Sequence, residues 1–198
     1  MCADCADAIK PLPQACYRCG TLSQTGICPK CKIATRLSGV YPACLYNGTV
    51  AKLIRELKYE HNRSAAVVIA ELMNRRLPDF GECVITNVPT ASSRVRQRSF
   101  DHSRLLAKKF AELRNLKYID VLHRSGNKRQ VGAPKLQRLT QLNGAFWVGS
   151  NSAFKDRYVL VLDDVVTTGG TVDEVARTLK AAGAKKVIAM SFAHKKLG

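Results

Sequence analysis

Tyr158-Val159-Leu160-Val161-Leu162-Asp163-Asp164-Val165-Val166-Thr167-Thr168-Gly169-Gly170-Thr171 carries the information from which the architecture follows. Its opening apolar run, rich in β-branched residues, predicts a strand buried on both faces of a parallel sheet. The strand is expected to end at the two adjacent carboxylates. Beyond the glycines, Val172, Val175, Ala176 and Leu179 share one helical face,. Thr171 and Glu174 have capping-box spacing, so the helix is expected to start at Thr171 with unpaired N–H groups at its end. Such an end, placed after a strand of an α/β sheet, is a phosphate site. Gly169 and Gly170 allow close backbone approach, and Thr167, Thr168 and Thr171 offer hydroxyl donors. Asp163 and Asp164 suit a ribose diol, a hard cation such as Mg²⁺, or both. A ligand with a 5-phosphate at one end and a diol at the other satisfies all of these groups.

This stretch resembles the phosphoribosyl-pyrophosphate (PRPP) motif of type I phosphoribosyltransferases: apolar strand, two acids, two variable residues, Thr-Thr-Gly, any residue, Thr. No G-x-x-x-x-G-K-[ST] loop and no strand-borne G-x-G-x-x-G competes with it,.

A chain of 198 residues holds one sizeable α/β core plus a small appendage,. Lys and Arg number 32 against 15 Asp and Glu, a net charge of +17 that favours polyanionic partners, nucleic acid first among them,. No apolar stretch approaches the ~18–20 residues of a membrane helix, which argues against membrane insertion. Met1-Cys2-Ala3-Asp4-Cys5 lacks the basic-then-apolar pattern of a secretion signal,. A cytoplasmic location is expected, where paired cysteines serve metals more often than disulfides.

Six of the eight cysteines form three C-x-x-C pairs, Cys2/Cys5, Cys16/Cys19 and Cys28/Cys31. The second and third pairs look like the halves of a zinc ribbon with Cys16, Cys19, Cys28 and Cys31 as ligands. Cys2 and Cys5 make half a site. They fit a start codon placed too late, a degenerate second ribbon, or sharing with another pair. Residues 32–48 read as a link. Two amphipathic helices are expected at 49–60 and 64–77, a strand at 83–88, a helix at 101–116 and a last strand at 186–192. Cys44 and Cys83 are expected in the core. Thr90 to Phe100 reads as a small hydroxylated loop carrying Arg94, Arg96 and Arg98 at alternate positions, fitted to hold an anion. Residues 125–135 have no apolar period and read as a basic, glycine-containing lid. No histidine is assigned a role.

Val88-Pro89, then Arg94, Arg96, Arg98, Phe100 and Leu105-Leu106-Ala107, resemble the signature of the ComF competence-protein family. Tyr46-Asn47-Gly48 with Leu53-Ile54 and Leu57-Lys58-Tyr59, the segment Arg138 to Phe146, and the PRPP motif extend the likeness over nearly the whole chain. The chain departs from the family at Ser99-Phe100-Asp101-His102, where Gly-Phe-Asn-Gln is usual, and at Asn127 and Gln141. The resemblance implies a type I phosphoribosyltransferase domain, a Rossmann-like parallel sheet, at 41–198, behind a zinc ribbon at 1–40. It further implies PRPP with Mg²⁺ on Asp163, Asp164, Val165, Thr167, Thr168, Gly169, Gly170 and Thr171, with pyrophosphate held by Thr90, Ala91, Ser92 and Arg94. Lid closure through Lys128 and Arg129 follows from the same likeness, with Asp163, Asp164 and Arg129 as catalytic candidates. Single-stranded DNA, with Arg94, Arg96, Arg98, Lys108 and Lys109 as contacts, and other DNA-uptake proteins are the implied partners. Two alternatives are a metabolic phosphoribosyltransferase making a nucleotide from a free base, and a non-catalytic, PRPP-responsive nucleic-acid-binding protein.

Overall fold

The structure, a computed structural model, describes residues 8–59, 63–125, 144–150 and 153–195. Its centre is the nine-residue strand β6, Tyr158–Val166. On one side it pairs in parallel with β7, Lys186–His194, and on the other with β2, Val84–Asn87. β1, Gly39–Leu45, flanks β7 and β3, Lys117–Tyr118, flanks β2, giving an all-parallel order β1-β7-β6-β2-β3. Strand alternation sends Leu160 and Leu162 to one layer and Val159 and Val161 to the other,. The first layer holds helices α2 (Gly48–Tyr59) and α3 (Arg63–Arg76), and also α5 (His102–Leu113). The second holds α6 (Gly170–Ala181), packed through Val172, Val175, Ala176 and Leu179.

The crossover from β2 to β3 runs through α5 and the one from β6 to β7 through α6, in opposite directions along the sheet. The order therefore reverses between β2 and β6, and in sheets of this kind ligands bind at the carboxyl ends beside such a reversal,. Both predicted anion segments start there.

The expected link at 32–48 contains β1, which begins at Gly39 and so straddles the proposed boundary after residue 40. Pro42 lies inside it, which only an edge strand tolerates, and β1 is an edge,. Cys44 is fully buried and donates its thiol to the Phe192 carbonyl at 3.0 Å. The cysteine-rich segment, with the short helix α1 (Pro29–Lys32), lies on the α6 layer and sends Cys16, Tyr17, Ile27, Cys28 and Leu37 into its core. A side chain on Gly26 would come within 1.9 Å of the Val40 carbonyl, so the segment seats against β1 only because this residue has none. An antiparallel pair, β4 (Leu122–Arg124) and β5 (Phe146–Val148), was not expected from the pattern. The predicted lid at 125–135, apart from Ser125, lies outside the described residues.

Candidate functional site

Strand β6 continues past the acidic pair to Val166, because β7 keeps pairing as far as Val166↔His194. Both acids are therefore strand residues pointing to opposite layers. Asp164 shares the parity of Leu160 and Leu162 and is buried against α2 and α5. There it pairs with Lys58 and stands 3.6 Å from His102 Nε2. The network continues toward the surface, with Arg98 Nη1 3.2 Å from His102 Nδ1. The same guanidinium donates to Tyr59 Oη at 3.1 Å and lies over that ring at 4.6 Å. Burial alone would raise Asp164, but His102 and Lys58 outweigh it and hold the carboxyl well below the usual range,.

Asp163 is the opposite case. Its carboxyl is desolvated and sits beside the ionised Asp164, so its pKa is driven well above the ordinary value. The backbone N–H of Asp164, donating to Asp163 Oδ1 at 2.9 Å, only partly offsets this.

Beyond β6, Thr167 and Thr168 are exposed, and Gly169 turns the chain with φ +80° as the N-cap of α6. The helix starts at Gly170 rather than Thr171, and the capping box does not form. Glu174 is buried and engaged elsewhere, accepting from Gly144 N at 2.9 Å and from Arg177 at 2.7 and 2.8 Å. Asp173 N closes the first intrahelical bond on Gly169 O. The first N–H groups of a helix have no partner within it, which is the feature phosphate cradles use. Val165 is half-buried within β6.

The expected loop at Thr90–Phe100 is largely a helix, α4, Ser92–Arg98, starting at Ala91. Thr90 is held by Asp101 at 2.9 Å and Ser103 at 3.0 Å. Helical winding puts Arg94 and Arg98 on one face and Arg96 on the other, and Arg98, in the last turn, is the one covered by packing,. Arg94 and Arg96 are exposed, whereas Arg98 is 4% exposed and committed to His102 and Tyr59. Arg98 is therefore not presented to a nucleic acid, and its expected role there is corrected to a structural one. On α5, Lys108 is exposed over the Tyr118 ring and Lys109 pairs with Glu112 at 2.7 Å. Lys128, Arg129, Asn127, Gln141, Cys2 and Cys5 lie outside the described residues.

The sulfur atoms of Cys16, Cys19, Cys28 and Cys31 all lie within 4.8 Å of one another, with Cys19 and Cys28 3.5 Å apart. Bonds of about 2.3 Å in a tetrahedron need sulfurs about 3.8 Å apart, so the four fit a zinc ion. Hydrogen bonding from Thr21 brings the Cys19 thiol down to about 6. Burial and the three other sulfurs push Cys31 up to about 12. Four crowded thiols ionise together only when a cation joins them.

Sequence reasoning did not find Lys58, His102, Tyr17, Thr35 or Asp173 as site neighbours. His102 carried a signal, standing where the related pattern has Gln beside the arginine segment.

A parallel sheet reversing at β2/β6, with a hydroxyl-rich turn into α6 and paired acids before it, defines a phosphoribosyltransferase-type domain. The phosphoribosyl transferase domain family matches residues 49–197, and the chain belongs to that family. Over 97% of its length and 86% of the relative's, it is 23% identical to Competence protein ComFC of Streptococcus pneumoniae (strain ATCC BAA-255 / R6), which bears out the ComF likeness. Among solved structures it is similar to the glutamine PRPP amidotransferase of B. subtilis. That match has 18% identity and a TM-score of 0.46, and covers 65% of this chain and 26% of that one. The adenine phosphoribosyltransferase of Leishmania tarentolae is 18% identical with a TM-score of 0.39, over 64% of this chain and 56% of that one. This chain thus spans about a quarter of the amidotransferase.

Proposed function

We propose that this protein binds PRPP, with Mg²⁺, at the carboxyl ends of β2 and β6. The observation that carries the reading is the turn Thr167–Gly170. Its exposed hydroxyls and the N-terminus of α6 stand directly after the adjacent acids Asp163 and Asp164 at the end of the central strand. Thr167, Thr168, Gly169, Gly170 and Thr171 hold the 5-phosphate. Asp163 serves the ribose hydroxyls and, giving up its proton when the cation binds, the cation, while Asp164, paired with Lys58 and His102, fixes the strand end,. Mg²⁺ contributes positive charge to the pyrophosphate when bound. Thr90, Ala91, Ser92 and Arg94 hold the pyrophosphate. Reaction at the anomeric carbon needs no side-chain nucleophile. Positioning and stabilisation of departing pyrophosphate are enough.

The net charge of +17, with Arg94 and Arg96 exposed, supports binding of single-stranded DNA, and the likeness to a competence protein supports a role in competence, which we read as handling of incoming DNA. Among the described residues no helix is long and apolar enough to cross a membrane.

Calorimetric titration with PRPP and Mg²⁺ tests the site. Saturable binding, weakened at least about tenfold in Asp163→Asn, is expected, since a charge-assisted contact contributes about 1.5–3 kcal/mol. A wild-type chain that takes up no PRPP overturns the reading. Pyrophosphate release dependent on an added free base would instead favour a metabolic transferase.

A further inference from the structure

The cysteine-bearing segment does more than cap the sheet. Tyr17, between the first two cysteines, is 2% exposed, and its ring lies against Gly169, the N-cap of α6. A Cβ on Gly169 would come 2.0 Å from Tyr17 Cε2, so this ring forms the wall of the turn. The Tyr17 hydroxyl donates to both carboxylate oxygens of Asp173, at 2.9 and 3.1 Å, in the first turn of the same helix. Arg18 and Thr35, also from this segment, bond the same carboxylate. The Tyr17 carbonyl accepts from His194 Nε2 at 2.9 Å, at the end of β7 and opposite Val166. The turn that leaves β6 is thus gripped on three sides by residues within or beside the Cys16–Cys31 cluster.

Two physical consequences follow. A helix N-terminus binds an anion through fixed N–H groups, and their placement depends on the conformation at Gly169, which the packed ring helps to confine,. A carboxylate in the first turn also repels an incoming phosphate. The charge of Asp173 is absorbed by Arg18 together with the two hydroxyl donors,.

We propose that Tyr17 and Arg18 are positioning residues of the phosphate cradle, so that folding of the four-cysteine knuckle around its metal sets the affinity of the domain for a phosphorylated sugar. This rests on the assignment of Thr167–Thr171 as the phosphate site and adds its control. Metal binding orders the C-x-x-C turn holding Tyr17 and Arg18, the ring then confines Gly169, and the guanidinium neutralises Asp173. Loss of the metal frees the turn and leaves a bare carboxylate at the cradle.

The test combines hydrogen exchange with PRPP titration in the full chain. Amides of residues 167–173 are expected to exchange at least about tenfold faster in Tyr17→Leu and in the zinc-stripped protein, with β2 and β6 protected as before. Tyr17→Phe, which keeps the ring, restores most of the protection. Arg18→Ala, at a side chain 27% exposed, leaves the fold intact and weakens PRPP binding about three- to tenfold,. Adding Asp173→Asn to Arg18→Ala recovers that loss, whereas a merely structural ion pair would show no recovery. Equal protection of residues 167–173 in wild-type, Tyr17→Leu and zinc-stripped protein overturns the coupling. If wild type binds no PRPP, the ligand assignment fails, and the exchange measurement alone decides whether the knuckle governs the turn.

Discussion

Ser99 takes a left-handed conformation, φ 61°, at the end of α4, where the related pattern carries glycine. A side chain there costs energy that glycine avoids, partly offset by glycine's greater freedom in the unfolded chain. Ser99→Gly is expected to stabilise the protein by about 0.5–1 kcal/mol, read as a higher urea midpoint. The acidic pair supports a sharper expectation. Asp164 has a folded pKa below its unfolded one, so its ionisation adds stability above about pH 4 and loses it as pH falls towards the folded value,. Asp163 has its pKa raised, so its ionisation costs stability, a cost absent in acid and growing as pH rises towards the folded value,. At neutral pH Asp163→Asn should raise the urea midpoint and Asp164→Asn should lower it, and both differences should shrink on acidification. Shifts of one sign for both variants would contradict the split. The identities of the acids, threonines and glycines were legible because they are contiguous and their chemistry is local. Lys58 and His102 were not, because only packing of α2 and α5 on the same layer brings them to Asp164.

At the scale of elements, the apolar runs and helical periods identified β6, α6, α2, α3, α5 and β7 to within a few residues. The errors share a cause, in that local pattern was overruled by a neighbour. Pro42 hid β1 because proline is excluded from every strand position but an edge, and edges exist only in the assembled sheet. β6 outran its acids because β7 offered partners. The Thr90–Phe100 segment read as a loop from its hydroxyls, yet α4 forms and its last residue, Arg98, is drawn into contact with His102 and Tyr59 while Arg94 and Arg96 stay exposed. That difference has a measurable outcome. Arg94→Ala with Arg96→Ala should leave the urea midpoint almost unchanged, while reducing retention of a fluorescent single-stranded oligonucleotide and the steepness of its salt dependence. Arg98→Ala should cost about 2 kcal/mol of stability, since Tyr59 and His102 lose a buried partner,. Equal loss of oligonucleotide from all three single variants would place Arg98 at the surface after all.

For the molecule as a whole, the cysteine segment is sewn to the domain through Tyr17, Leu37 and the contact of Gly26 on Val40. Elemental analysis should find about one zinc per chain, as the four-cysteine site implies. Chelation should lower the thermal midpoint and open β1 together with residues 8–38, visible as faster hydrogen exchange there. Retention of metal-free protein with an unchanged midpoint would show that the cluster is not a structural site.

The amino-acid order alone settled the class of sheet, the helix that follows its central strand and the cluster of Cys16, Cys19, Cys28 and Cys31. Each of these is written in residues close together along the chain. The burial of Arg98, the unequal fates of Asp163 and Asp164, and the seat of Tyr17 on Gly169 belong to the tertiary structure. They depend on desolvation and contact between segments that sequence separation keeps apart, and no local period encodes them.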